Sequence, residues 1–384
     1  MKEIIQLAKQ VHLTPRKSEH WIQDFIANNT FPLIEGKRVT FFYWHEETID
    51  AVYLLHWVHG LESRQEFKRL PGTNAFWLSL ELPISARVEY KFEIHRNGSR
   101  YWSRDPFNPN KAYDPFGSNS VCAMEGYTIP KWIHTNPSVR QGRLEEFTIK
   151  SKAFGDERKI TVYLPAEYKA KKKYPLLICH DGHDYRKYSN MVNILDNLIH
   201  EHNVLPTIVA FTDGHSRNIE YGANPQQAKF IVEDILPAME RKYRLSSGSE
   251  NRAIMGASFG AVSSLYVAWK YPGTFKKLLL QSGSFAFTDI GEHGRGELWD
   301  PVVEFVNALR EHPEIIQGTR MYMSCGVFES LIYYNRSLEP IFRSNGVDLR
   351  YVESRDGHNW INWRDRLREG LSWLFPGHLR MYYE

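Results

Sequence analysis

Gly256-Ala257-Ser258-Phe259-Gly260 is a G-x-S-x-G pentapeptide, a spacing in which a serine hydroxyl can be presented as a nucleophile. The residues before it, NRAIM, read as an apolar strand. The residues after Gly260, AVSSLYVAWKY, read as a helix. Glycines on both sides allow the turn to be crowded and strained. The turn then lifts the hydroxyl to a helix N-terminus, where unpaired N–H groups can stabilise an oxyanion. A serine hydroxyl needs a base. His358, in RDGHNWINW, follows the strand-like LRYVES and is placed on the loop at that strand's C-terminal end. The acid that would accept the other imidazole N–H belongs between the two, after the strand TRMYMSCG. Glu329, in CGVFES, stands there. Asp348 and Asp356 are the alternatives, although Asp356 precedes His358 by only two residues, which hinders an opposed geometry. Two amides are expected to hold the oxyanion: that of Phe259, next after the nucleophile, and that of His183 in CHDGHDYRK, where Gly182 lets the backbone approach.

Each of these residues has a plainer reading. A chain with 25 Gly produces G-x-S-x-G by chance, and any one of 16 His taken blindly is structural or exposed. His180, Asp181 and His183 could form a simple polar turn. H-D-G-H-D (180–184) holds two His and two Asp, but the spacing fits no helical zinc motif. No metal and no cofactor are expected. Position and order, more than residue type, favour the catalytic reading.

The elements that must place these residues fall into two regimes. Residues 1–30 read as one or two short helices carrying Ile4, Ile5, Leu7, Trp21 and Phe25. From Lys37 to about Val121, VTFFYW, DAVYLLHWV, AFWLSLELP and VEYKFEIHRNGSRYW are β-branched and aromatic runs, with Asn97-Gly98 as a hairpin turn. A small β-sandwich follows from that spacing. DPFNPNKAYDPFG (105–117) is too rich in Pro, Asn and Gly for long regular structure, and residues 128–143 read as a linker. Beyond it, EFTIKS and RKITVYLP form a hairpin. YPLLICHDG, PTIVAFTDG and NRAIMGASFG are compact apolar strands separated by helical patterns such as MVNILDNLIHEH and AKFIVEDILPAMERKY. Strands alternating with helices imply a parallel α/β sheet. The expected organisation is a helical segment plus β-sandwich over 1–127, a linker over 128–143 and a catalytic α/β domain over 144–384.

The sequence resembles the enterochelin (enterobactin) esterase family. IMGASFG, YPGTF and LLLQSGSF resemble its nucleophile segment, and DGHSRNIEY (213–221) its strand-end segment with an Arg followed three residues later by Glu. GHNWINWRDRL resembles its His loop. RVTFFYW, FKRLPGTNAFWLSLELP and RDPFNPN resemble its accessory β-domain. The resemblance runs over about residues 18–380. It implies an α/β-hydrolase fold with an N-terminal early-set or carbohydrate-binding-like β-sandwich, and hydrolysis of a cyclic tricatecholate trilactone siderophore as its ferric complex, releasing iron in the cytoplasm. Carried over residue by residue, Ser258 is the nucleophile, His358 the base and Glu329 the acid. Arg217, Glu220, Tyr221 and Asp181 line the substrate site, with Arg217 as an anion contact. Two departures stand out. Ala261 replaces a second Gly after the pentapeptide, and Ala286-Phe287 replaces a pair of tryptophans after QSGSF.

Composition bounds the remaining readings. At 384 residues, 42% hydrophobic and 14% aromatic, the chain can bury two cores. A net charge of +3 gives no electrostatic case for nucleic acid or membrane as a partner. The first residues show no apolar run or cleavage site of a signal peptide, and Cys122, Cys179 and Cys325 form no disulfide framework. Cytoplasmic residence with reduced thiols is expected. A feruloyl or acetyl ester hydrolase using the β-domain for carbohydrate, and a catalytically silent scaffold, are the rival functions. Oligomeric state is left open.

Overall fold

The structure is a computed structural model and describes residues 2–289 and 293–377. It divides the chain into two units. The first comprises residues 1–128 with two short segments, 327–329 and 355–358. The second comprises 129–326, 330–354 and 359 onward.

In the first unit, helices Lys2–Leu13 and Ser18–Ala27 precede two antiparallel sheets, one of four strands and one of six. The strand Arg38–Trp44 shows why its sequence lacks a polar face. Successive side chains point to opposite sides. Val39, Phe41 and Tyr43 enter the cluster between the sheets with Tyr90, Phe92 and Ile94, while Phe42 points the other way and packs with Phe25, Phe31, Leu7 and Ile22 under the helices. Both faces are therefore covered, and the strand reads as the unbroken run VTFFYW. The Asn97-Gly98 turn joins Arg87–Arg96 to Ser99–Ser103, with both turn residues at positive φ. The Pro-rich stretch 105–117 contains one short strand, Lys111–Asp114.

The second unit is built on an eight-stranded sheet. Its strands are β1 (Arg143–Lys150), β2 (Glu157–Leu164), β3 (Leu176–His180), β4 (Ile208–Thr212), β5 (Arg252–Ala257), β6 (Lys277–Gln281), β7 (Arg320–Gly326) and β8 (Asp348–Ser354), in the spatial order β1-β2-β4-β3-β5-β6-β7-β8. β1 and β2 form the expected hairpin, β2 meets β4 antiparallel, and all later neighbours are parallel. β3, β4 and β5 are buried or nearly so on both faces because apolar clusters lie on each side of the sheet. The fold class is thus an α/β-hydrolase-like unit with an N-terminal β-rich unit, as the sequence implies. Residues 129–142 belong to this unit and are fastened to it. Asn190 and Asn193 donate to the Ile133 carbonyl, and Asn197 donates to those of Trp132 and His134. The run AKFIVEDILPAMERKY is not one uniform helix. A π-helical segment, Phe230–Ile235, sits between Pro225–Lys229 and Leu236–Lys242. Pro237, which has no N–H to give to the preceding turn, stands at the start of the last of these segments.

Phe42 is fully buried and meets Phe25 and Phe31 at centroid distances of 5.1 and 5.5 Å. Phe42→Ala should cost the first unit about 3–5 kcal/mol, read as a lowered urea midpoint for that unit's unfolding.

Candidate active site

Ser258 directly follows β5 and adopts φ 56°, ψ −121°, a conformation that strains a residue with a side chain. The helix Phe259–Lys270 begins at the next residue. A Cβ at Gly256 would overlap the backbone of Gly260, and one at Gly260 would come within 3.2 Å of the Asp181 carboxylate and 3.4 Å of the His180 Cβ. Gly256 is required because a side chain there would meet the Gly260 backbone, whereas one at Gly260 would press on Asp181 and His180. The Ser258 N–H donates to the Gln281 carbonyl at 2.9 Å. Its Oγ lies 3.1 Å from the Ser284 Oγ. Phe259 occupies the first turn of the helix, where amides have no intrahelical acceptor.

The stretch after β6 holds this turn from below. Tyr185 donates to the Gln281 side-chain oxygen at 2.7 Å, and the Gln281 amide donates to the Trp363 carbonyl at 2.8 Å. Trp363 Nε1 donates to Ser282 Oγ at 2.9 Å. Asn335, fully buried, accepts from the Gly283 N–H and donates to its carbonyl. Ser284, Asn335 and Trp363 carry no signal in the sequence beyond the QSGSF motif that marks where they act, because their partners lie 26 to 82 residues apart.

On the other side lies the loop after β3. Asp181 has φ 53° and a buried carboxylate. Arg217 meets it with two parallel hydrogen bonds, Nε to Oδ1 and Nη2 to Oδ2, both 2.6 Å, and Nη2 also reaches the Ala257 carbonyl at 3.4 Å. Burial raises the Asp181 carboxyl above its ordinary value, against the opposing pull of Arg217. The guanidinium expected to meet substrate anion is therefore engaged by the protein. The other expected lining residues are likewise committed. Glu220 is buried and receives Arg158 at 2.8 and 3.2 Å and the Ser216 N–H at 3.0 Å. Tyr221 is fully buried, with its hydroxyl toward the Asp181 amide at 3.4 Å. The His183 N–H donates to Asp213 Oδ1 at 3.0 Å. In this structure that amide is given to a carboxylate.

His180 lies beneath the turn, fully buried against the Tyr221 ring at 4.8 Å. Neither ring nitrogen has a partner among the described residues. Burial, with Arg217 adding to it, lowers its pKa to about 3. Beside the turn, Phe259 meets Trp299 at 5.0 Å, and the Arg295 guanidinium lies 4.8 Å from the Trp299 ring centre and 5.0 Å from that of Tyr334. Ala286 and Phe287, which replace the expected tryptophans, are buried, and Phe287 packs on Tyr333 and Tyr334.

Glu329 and His358 belong to the first unit. His358 Nδ1 lies 2.7 Å from Glu329 Oε2. An ionised carboxylate only accepts, so the hydrogen of this contact lies on His358 Nδ1. The Glu329 side chain is 1% exposed and that of His358 is 37% exposed. The alternative acids point elsewhere: Asp348 pairs with Arg320 at 2.7 Å and Asp356 with Arg87 at 3.2 Å. All three cysteines are buried. Among the described residues no group of three or more His, Cys, Asp or Glu could hold a metal ion, and no helix is long and apolar enough to cross a membrane.

Comparison with known proteins gives the following. The family model described as "Putative esterase" matches residues 151–374. The iron(III) enterobactin esterase of Dickeya dadantii is 22% identical, with 94% of this chain and 93% of that protein covered. That of Escherichia coli K12 is 21% identical, with 82% of each covered. A crystal structure of the enterobactin esterase from Shigella flexneri in the presence of enterobactin superposes with a TM-score of 0.71 at 20% identity, covering 88% of this chain and 92% of that one.

The buried neutral His180 makes stability depend on pH. Its ordinary value is 6.5 and its folded value about 3, so between these pH values the unfolded chain binds the extra proton. Stability falls as pH drops through this window, by up to about 1.4 kcal/mol per unit from this group. Urea midpoints of wild type and His180→Leu at pH 7 and pH 4.5 should show a smaller acid loss in the variant.

Proposed function

The chain belongs to this esterase family, and from that premise we propose that it is a serine esterase in which Ser258, His358 and Glu329 form the catalytic triad. The connectivity of the sheet supports this. β5, β7 and β8 are parallel, so the chain leaves the same edge after Ala257, Gly326 and Ser354. Ser258, Glu329 and His358 follow at the first, third and fourth residues beyond those strand ends. The observation that carries the reading is the strained Ser258 turn together with the 2.7 Å Glu329–His358 contact.

In the proposed mechanism His358 Nε2 takes the Ser258 proton as Oγ attacks the ester carbonyl. The Phe259 N–H holds the oxyanion. Glu329 keeps the proton on Nδ1 and stabilises the imidazolium. The alcohol leaves with the proton from Nε2, and water activated by the same nitrogen releases the acid from Ser258. A His183 N–H contribution would require its bond to Asp213 to open first.

For the substrate we propose a catecholate trilactone siderophore of the enterobactin kind, acted on in the cytoplasm as its iron complex. The relatives' names motivate this, and the Trp299–Arg295–Tyr334 wall beside Phe259 is suited to electron-rich, anionic aromatic groups. Its guanidinium has no carboxylate partner among the described residues, unlike that of Arg217.

Purified protein should open ferric enterobactin, with products followed by mass. Ser258→Ala should fold normally and lose at least about 10³-fold in kcat. Glu329→Gln should lose less than His358→Ala. Wild-type turnover by the Ser258→Ala protein would end the reading. Cleavage of methyl ferulate and p-nitrophenyl butyrate but not of the trilactone would keep the esterase and replace the substrate.

A further inference from the structure

The strand Arg87–Arg96 sends Val88, Tyr90, Phe92 and Ile94 into the core of the first unit. Its alternation puts Arg87 and Glu89 on the opposite face. Arg87 is nonetheless 2% exposed. It is covered by segment 355–358 of the same unit. The Arg87 N–H donates to the Arg355 carbonyl at 2.9 Å. Its Nη1 lies 3.2 and 3.3 Å from the two Asp356 oxygens, and Nη2 lies 2.8 Å from Glu89. Arg355 in turn donates to the Ile84 carbonyl at 2.8 Å, and the Gly357 N–H donates to Asp356 Oδ1 at 2.7 Å.

The other short segment is tied to the same place. The Phe328 N–H donates to the Asp356 carbonyl at 3.2 Å, and the His59 N–H donates to the Phe328 carbonyl at 2.8 Å. The Phe328 ring joins the sandwich core. One residue beyond Phe328 is Glu329, and two beyond Asp356 is His358.

A guanidinium buried with two carboxylates is a poor way to gain stability, because desolvation offsets most of the attraction. What it does supply is fixed geometry, since a planar fork with several donors accepts few arrangements. We propose that the β-rich unit is the platform that sets the positions of the catalytic base and acid, with Arg87 as the positioning residue acting through Asp356. This rests on the assignment of His358 and Glu329 made above.

The test uses full-length wild type, Arg87→Lys, and the double variant R87Q/D356N, in which neither the Arg87 nor the Asp356 charge remains. Folding is checked by urea denaturation. With p-nitrophenyl butyrate, the expected result is a kcat lowered about tenfold to a hundredfold with KM little changed, the signature of a displaced catalytic group. The downfield His358 Nδ1 proton resonance should be broadened or lost. Should the double variant not fold, Arg87→Lys carries the same reading. A folded variant with wild-type kcat and an intact resonance overturns the inference. Failure of the underlying assignment looks different: His358→Ala or Glu329→Ala would then turn over like wild type.

Discussion

The crossing of the backbone at Gly256 and Gly260 is the constraint on which the site depends. It allows β5 to end in a turn tight enough to hold Ser258 at positive φ, a conformation costing of the order of 1–3 kcal/mol. Such a turn persists when its surroundings leave it no alternative. β5 lies inside the sheet, between β3 and β6. The Ser258 amide is taken by the Gln281 carbonyl, and the stretch below is fixed by Asn335 and Trp363. On the opposite side the Asp181 carboxylate and His180 fill the space that a larger residue at position 260 would need.

A second layer of the structure consists of buried carboxylates whose arginine partners hold loops. Arg217 clamps Asp181, Arg158 clamps Glu220, and Arg87 clamps Asp356. Each pair joins segments distant in sequence, and in each the arginine fork is matched to carboxylate oxygens. Interactions of this kind contribute little net stability once desolvation is counted, but they leave few alternative arrangements. The apolar clusters on the two faces of the sheet supply the driving force, and the ion pairs select among the loop conformations that the cores permit.

The parts of this protein legible in its sequence are those determined by neighbours along the chain. The elbow, the hairpin of β1 and β2, the Asn97-Gly98 turn and the alternation of strands with helices all follow from local residue patterns. The pairing of Glu329 with His358 was accessible through order along the chain. The engagement of Arg217, Glu220 and His183 by residues of other loops was not. Their types and positions suit a substrate site, but their partners Asp181, Arg158 and Asp213 come from other loops, and no local pattern records that the side chains are already engaged. The same holds for Arg87 and Asp356, 269 residues apart.

The chain enters the first unit three times, with residues 327–329 and 355–358 returning to it long after residue 128. The unit is therefore not a cassette. A recombination event that exchanged only the N-terminal 128 residues would deliver a sandwich whose surface was not shaped for the two returning segments, and would leave those segments facing an unfamiliar partner. Inheritance of the β-rich unit is thus bound to inheritance of two tripeptide- and tetrapeptide-length stretches near the other end of the gene, and substitutions at one place should have constrained those at the other throughout the history of the lineage.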